Sequence, residues 1–245
     1  MSDTAIDRKK LYYVGNLSIF MIGLGFAVRA NIAKHLQEDI YNHIDFANSA
    51  AMVGEAIGIT FTGFALTLLF GSALVDLIGM KRMLLLSALG YVAGSLGLIA
   101  ATMMTPGESV QMIVLGSLLL TGLGWGAVEA ASNPMVAALY PEEKTHRLNI
   151  LHAWWPAGIV VGGLMGVLIG ATGLSWKINM IVLLVPAVVM AWMVSSATFP
   201  VTERVASGIS TGDMFKEVLK PLFLFMGLCM LLIGAQLGGR SQQHA

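Results

Sequence analysis

Stretches of apolar residues long enough to cross a lipid bilayer recur along almost the whole sequence, separated by short polar or glycine- and proline-containing turns. A helix needs about 20 mainly apolar residues to span the hydrocarbon core. Seven stretches are predicted to span on this basis, the last of them shorter than the others: 12–33, 50–77, 83–103, 110–139, 149–171, 176–199 and 222–237. With 56% hydrophobic and only 11% charged residues, the chain is predicted to be an all-α, multi-pass protein of the lipid bilayer.

The composition also excludes several classes of function. The formal net charge is zero, which argues against a nucleic-acid partner. The single cysteine, Cys229, cannot form a disulfide framework or a thiolate metal cluster, and we expect no metal and no cofactor. The sequence has no phosphate-binding G-x-x-x-x-G-K-[ST] motif and no recognisable cluster of nucleophile, base and orienting group. We therefore expect neither an ATP-driven motor nor an enzyme.

Lysine and arginine are enriched in cytoplasmic loops, so their distribution predicts the orientation. With the N-terminus in the cytoplasm, the basic residues on that side are Arg8, Lys9, Lys10, Lys81, Arg82, Lys144, Arg147, Arg204, Lys216 and Lys220. The opposite side then has only Lys34, Lys177 and Arg240. This asymmetry predicts a cytoplasmic N-terminus and a location in the cell membrane, inner or plasma.

Three ionisable residues stand out inside predicted spans, where charge is costly and usually marks a solute or ion pathway: Arg29, Glu55 and Glu129. Arg29 and Glu55 lie at similar depth in the first two spans, so we predict an intramembrane ion pair with charged atoms within about 4 Å. Such a pair fits either a gate or a structural clamp. Asn31, two positions from Arg29, cannot share its helix face.

Glu129 lies beyond the middle of the fourth span and has no basic residue near it in sequence. Its depth suits a group that binds and releases protons during transport. The alternative is a structural hydrogen bond to Asn133, one helical turn further on. Pro134 removes a backbone donor and is predicted to kink this span.

The fifth span has two differentiated faces. Asn149, His152 and Pro156 share one face at 100° per residue, and we predict Asn149 and His152, with the neighbouring Trp155, as solute contacts. Glycines recur every four residues on another face, a spacing that lets helix backbones approach closely. The residues of this ladder are Gly158, Gly162, Gly166 and Gly170.

The loop after the second span, residues 72–82, resembles the signature G-x-L-x-D-x-x-G-x-[KR]-[KR] of major-facilitator transporters, with serine in place of the first glycine. In this loop Asp76 is expected to accept from backbone amides at a neighbouring helix N-terminus. Gly79 would permit the tight turn, and Lys81 and Arg82 would face the cytoplasm.

A narrower resemblance covers about thirty residues of the fourth and fifth spans. The motif E-x-A-x-N-P at 129–134, followed by R-L-N at 147–149, looks like the fucose, galactose and gluconate proton-symporter family. That resemblance implies a sugar-binding cavity in which Glu129 couples proton binding to transport and contacts the solute.

The chain departs from this family at three positions. Asn31, which cannot titrate, stands where the family has an aspartate near the outer end of its first span. His152 and Trp155 replace two amide side chains in the fifth span. Proton coupling through two carboxylates is therefore not expected.

Major-facilitator transporters contain two six-helix halves, with substrate bound between them. The resemblance implies a six-helix bundle at 1–199, a cytoplasmic linker at 200–220, and the first helix of an incomplete second bundle with a polar tail at 221–245. We expect a truncated transporter; the alternative is a partner supplying the missing helices in trans. The predicted function is proton-coupled transport of a sugar-like solute. The alternatives are a facilitator of another polar metabolite and a non-transporting scaffold or inactive remnant.

Overall fold

Six long helices form the bundle in the computed structural model, which describes residues 6–208 and, beyond them, residues 210, 212, 213, 216, 219–222, 224 and 225. The helices are α1 (Arg8–Leu36), α2 (Ser49–Ile78), α3 (Met80–Ala101), α4 (Glu108–Leu139), α5 (Lys144–Ala171) and α6 (Ile178–Ser195). All six segments are long and apolar enough to cross a membrane, and the described residues contain no strand. The predicted all-α membrane fold is thus confirmed. The seventh span, 222–237, lies mostly outside the described residues and stays a prediction.

The first helix is longer than predicted. It continues beyond residue 33 through a π-helical turn at Gln37–Tyr41 and a final turn at Asn42–Ile44. Leu36 and Tyr41 in this extension are fully buried, which stabilises it although the intervening positions are polar. Asp45 ends the segment, and its carboxylate accepts from the backbone amides that precede α2.

Helices α1 and α4 form the interior of the bundle. Helix α4 packs between α2 and α3, and α1 packs against α4, α5 and α6. In the most apolar part of the first helical segment, Arg8–Ile44, 72% of the residues are buried, and in the most apolar part of α4 the share is 61%. The corresponding shares for α2 and α5 are 22% and 17%, so these two helices have largely uncovered faces.

Glycines allow the helix backbones to touch. A methyl group at Gly122 of α4 would overlap the carbonyl of Thr60 in α2, and one at Gly90 of α3 would lie 2.7 Å from the carbonyl oxygen of Leu120. Because lipid tails are as apolar as leucine, such close van der Waals packing is a main source of helix association in membranes.

The predicted glycine ladder of α5 packs against α1 at three of its four positions. Methyl groups at Gly158, Gly162 and Gly166 would overlap Phe20, Ala27 and Asn31, respectively. No described residue lies within 4 Å of a methyl group at the fourth position, Gly170. The predicted packing role of Gly170 is therefore wrong, because the described part of the bundle leaves this position on the last turn of α5 uncovered.

The chain divides into two compact units, Met1–Glu203 and Arg204–Ala245. The six-helix bundle belongs to the first unit. In the second, the carboxylate of Asp213 accepts from the hydroxyl of Ser210 at 2.7 Å and pairs with Lys216 at 3.0 Å. The division into 1–199, 200–220 and 221–245 stays a prediction.

Candidate functional site

One cation lies inside the bundle where α1, α2 and α4 meet. Arg29 is near the middle of the continuous helical segment Arg8–Ile44, and only 4% of its surface is exposed. The guanidinium carbon lies 4.2 Å from the ring centre of Trp125, 4.5 Å from that of Phe61 and 5.2 Å from that of Phe26. Cation–π attraction to these three rings stabilises the charge away from water.

The hydrogen bonding around this cation is incomplete. Nη1 of Arg29 donates to the carbonyl of Ile57 at 3.4 Å, which is long for such a bond. Nε of Arg29, Nε1 of Trp125 and the hydroxyl of Tyr91 are buried and have no hydrogen-bond partner among the described residues. Three donors thus lie in the bundle interior without an acceptor.

The predicted ion pair between Arg29 and Glu55 is wrong. Both residues are described, and no salt bridge joins them; Glu55 is exposed. The reason is the register of α1 against α2. Arg29 meets Ile57 and Phe61, which lie one turn apart on one face of α2, whereas Glu55, two residues before Ile57, lies on another face.

A stripe of functional side chains runs along α4 at four-residue intervals: Trp125, Glu129 and Asn133. Oε2 of Glu129 accepts from Nδ2 of Asn133 at 3.0 Å, so the hydrogen bond that the spacing suggested is present. Glu129 is half-buried and forms no ion pair within the described part of the chain. It lies one turn, about 6 Å, from the tryptophan that contacts Arg29.

Asn31 lies elsewhere, at the contact of α1 with α5 and α6. Its Nδ2 donates to the carbonyl of Gly162 at 3.0 Å and to Oδ1 of Asn179 at 3.3 Å. Its amide also fills the space beside Gly166. Because these contacts occupy the Asn31 amide in helix packing, the structure does not bring it together with the other predicted solute contacts.

The polar face of α5 is open. Asn149, His152 and Trp155 are all exposed, and their role as solute contacts stays a prediction. The ring of Trp155 contacts that of Phe26 edge-to-face at 6.4 Å, and Phe26 contacts Phe61 at 6.2 Å. We call Phe26, Phe61, Trp125 and Trp155 the aromatic cluster.

Sequence reasoning missed three members of this cluster. Two signals were present in the sequence: Phe26 precedes Arg29 by three residues, and Trp125 precedes Glu129 by four. Each spacing places two side chains on one helix face. Phe61 has no such neighbour and could not have been found in this way.

The loop between α2 and α3 holds the end of α6. Gly79 has φ +87°, a left-handed conformation that favours glycine, so the predicted tight turn is present. Nζ of Lys81 donates to the carbonyls of Ser195 and Ala197 at 2.8 and 3.0 Å. The prediction that Lys81 faces the cytoplasm is therefore incomplete, because its ammonium group contacts the end of α6. Arg82 is exposed.

Asp76, near the end of α2, accepts from the hydroxyl of Thr202. Lys10 also donates to the carbonyl and hydroxyl of Ser196. The C-terminal end of α6 thus has two ammonium groups beside it, and both positive charges favour the partial negative charge of a helix C-terminus.

We expect the substitution Lys81→Met to lower the melting temperature of the purified protein. It leaves two carbonyls at the end of α6 without their charged donor, a loss of about 1–2 kcal/mol that Lys10 partly offsets. The matched control is Arg82→Met, which removes an exposed charge from the next position. Thermal unfolding in one detergent would measure both variants, and equal shifts would contradict the capping role of Lys81.

Six helices long and apolar enough to cross a membrane define a multi-pass membrane protein. The family model of the Major Facilitator Superfamily matches residues 11–239, and the chain belongs to this family. Members of the family are transporters and not enzymes. A comparison with curated proteins gives no match, so the solute has to be inferred from the site.

Proposed function

We propose that the protein is a proton-coupled secondary transporter of a sugar-like polar solute in the cell (inner or plasma) membrane. The observation that carries this proposal is the environment of Glu129. Its carboxylate lies inside the bundle and is held by the uncharged amide of Asn133 rather than by a cation. An opposite charge nearby favours the charged form of a carboxylate. Glu129 has no ion-pair partner among the described residues, which supports its proposed role in proton coupling.

The solute contacts that we propose are Glu129 on α4 and Asn149, His152 and Trp155 on α5. The last three are exposed on one side of α5. Amide and imidazole groups donate to and accept from hydroxyl groups, and the Trp155 ring offers a flat apolar surface for a sugar ring. Asn31 is left out, since its amide is occupied by the α5 backbone and Asn179.

A facilitator of another polar metabolite is the second candidate. It is favoured by Asn31, an amide that cannot titrate and that stands where the proton symporters have an aspartate. With Glu129 as the remaining carboxylate of the motif, coupling would depend on a single group. A non-transporting scaffold is the third candidate.

Uptake into proteoliposomes distinguishes the three. We expect labelled monosaccharides or their uronic acids to accumulate when the outside is more acidic, and accumulation to stop when a protonophore collapses the gradient. A facilitator would equilibrate the solute at a rate independent of the pH difference, which would overturn coupling. A scaffold would give no uptake above protein-free liposomes.

A further inference from the structure

Arg29 carries a buried positive charge that no described anion neutralises. Its contacts are the rings of Trp125, Phe61 and Phe26 and one long hydrogen bond to a backbone carbonyl. Two carboxylates of the neighbouring helices, Glu55 and Glu129, do not pair with it: Glu55 is exposed, and Glu129 is held by Asn133. Charged residues within membranes usually pair with an opposite charge or mark a solute path.

Two buried N–H groups at this cation have no acceptor. They are Nε of Arg29 and the indole Nε1 of Trp125, whose ring centre lies 4.2 Å from the guanidinium carbon, and neither finds an acceptor in the described part of the chain. Buried donors without acceptors are rare in folded proteins and call for an explanation. A ligand that supplies only acceptor oxygens would satisfy them.

We propose that Arg29 binds the carboxylate of the transported solute, so that this solute is a small organic acid, such as a sugar acid, rather than a neutral sugar. The planar guanidinium presents paired donors that match the two oxygens of a carboxylate. The aromatic cluster beside it provides flat apolar surfaces for the rest of the molecule. The inference deepens the proposed function by specifying the charge of its solute.

Phe26 and Phe61 are the exposed members of the set of rings around this cation. Their rings meet edge-to-face at 6.2 Å beside the guanidinium, and both side chains are partly exposed, whereas Trp125 is buried. In the proposed complex the acid therefore reaches Arg29 from the side of Phe26 and Phe61.

The inference is tested by equilibrium binding to the purified full chain in lipid nanodiscs, without a pH gradient. The probes are galactose, galacturonate and the methyl ester of galacturonate, which share one ring and differ in whether they carry a negative charge. A set of smaller carboxylates, from acetate to succinate, and sodium chloride complete the series. We expect the acids to bind at least tenfold more tightly than the two neutral compounds, a ratio equivalent to about 1.4 kcal/mol.

Two variants and a control connect this preference to the site. Arg29→Gln should remove the preference, and Trp125→Phe, which keeps a ring but loses the indole N–H, should weaken acid binding several-fold. Arg82→Gln, an exposed arginine, should bind as the unmodified protein does. Trp125→Phe keeps the test informative if Arg29→Gln fails to fold, and melting temperatures of all variants identify that case.

Equal binding of acids and neutral compounds, including binding of none of them, would overturn the inference. So would a response to chloride alone, which would indicate an inorganic anion at Arg29. The proposed function fails in a different way. Acid binding without proton-driven uptake would support this inference and overturn proton coupling. Proton-driven uptake of galactose with no preference for galacturonate would support proton coupling and overturn this inference.

Discussion

The substitution Glu129→Gln is expected to abolish accumulation of the solute against its gradient while leaving exchange of solute across the membrane. Glutamine keeps the size of the side chain, and its carbonyl oxygen can still accept from Nδ2 of Asn133, as Oε2 of Glu129 does at 3.0 Å. Only the titratable proton is lost. Exchange requires the loaded carrier to reorient, but accumulation requires a proton to bind on one side and leave on the other.

The matched control is Glu55→Gln, which neutralises the other intramembrane glutamate. Glu55 is exposed and has no ion-pair partner among the described residues, so this variant should accumulate solute normally. Both variants are measured in proteoliposomes, first with a pH gradient and then with labelled solute on one side and unlabelled solute on the other. Normal proton-driven accumulation by Glu129→Gln would show that Glu129 does not couple proton binding to transport and that its hydrogen bond with Asn133 is purely structural.

The six helices could be predicted from the sequence because span length and apolarity are properties of the chain alone. The end of α1 could not. Residues 34–39 contain lysine, histidine, glutamine, glutamate and aspartate, a composition typical of a loop. Leu36, Ile40 and Tyr41 nevertheless lie against the bundle, and their burial keeps the segment helical while the polar side chains lie on other faces.

The site was predictable where it depends on one helix and unpredictable where it depends on two. The contact between Glu129 and Asn133 follows from their four-residue spacing. The partner of Arg29 depends instead on the register of α1 against α2, which the unforeseen turns at Gln37–Ile44 determine. For the same reason sequence reasoning missed the surrounding rings of Phe61 and Trp125, which belong to other helices.

The contact of α1 with α5 shows a similar division. The four-residue spacing of glycines correctly indicated a close approach, but spacing alone cannot show at which glycine the contact between the two helices ends. At Gly158 the backbones touch: a methyl group there would overlap the carbonyl of Phe20, and one at the facing Gly23 would overlap the carbonyl of Trp155. At Gly170 no described residue lies within 4 Å of an added methyl group.

This difference makes two chemically identical substitutions opposite in effect. Gly158→Ala is expected to destabilise the bundle by about 1–3 kcal/mol, the usual cost of overpacking, because neither backbone can move aside without separating the helices. Gly170→Ala adds the same methyl group in open space. It should leave stability unchanged or raise it by up to about 1 kcal/mol, since alanine favours the helix over glycine.

Separation of α1 and α5 at Gly158 would also disturb the candidate site, because Trp155 lies one turn earlier on α5 and contacts Phe26 of α1. We therefore expect Gly158→Ala to weaken solute binding as well as to lower the melting temperature, whereas Gly170→Ala should change neither for the worse. Thermal unfolding and equilibrium binding in the same nanodiscs measure both effects. Equal melting temperatures for the two variants would mean that the α1–α5 contact tolerates a methyl group. This result would contradict the close approach of the two backbones at Gly158.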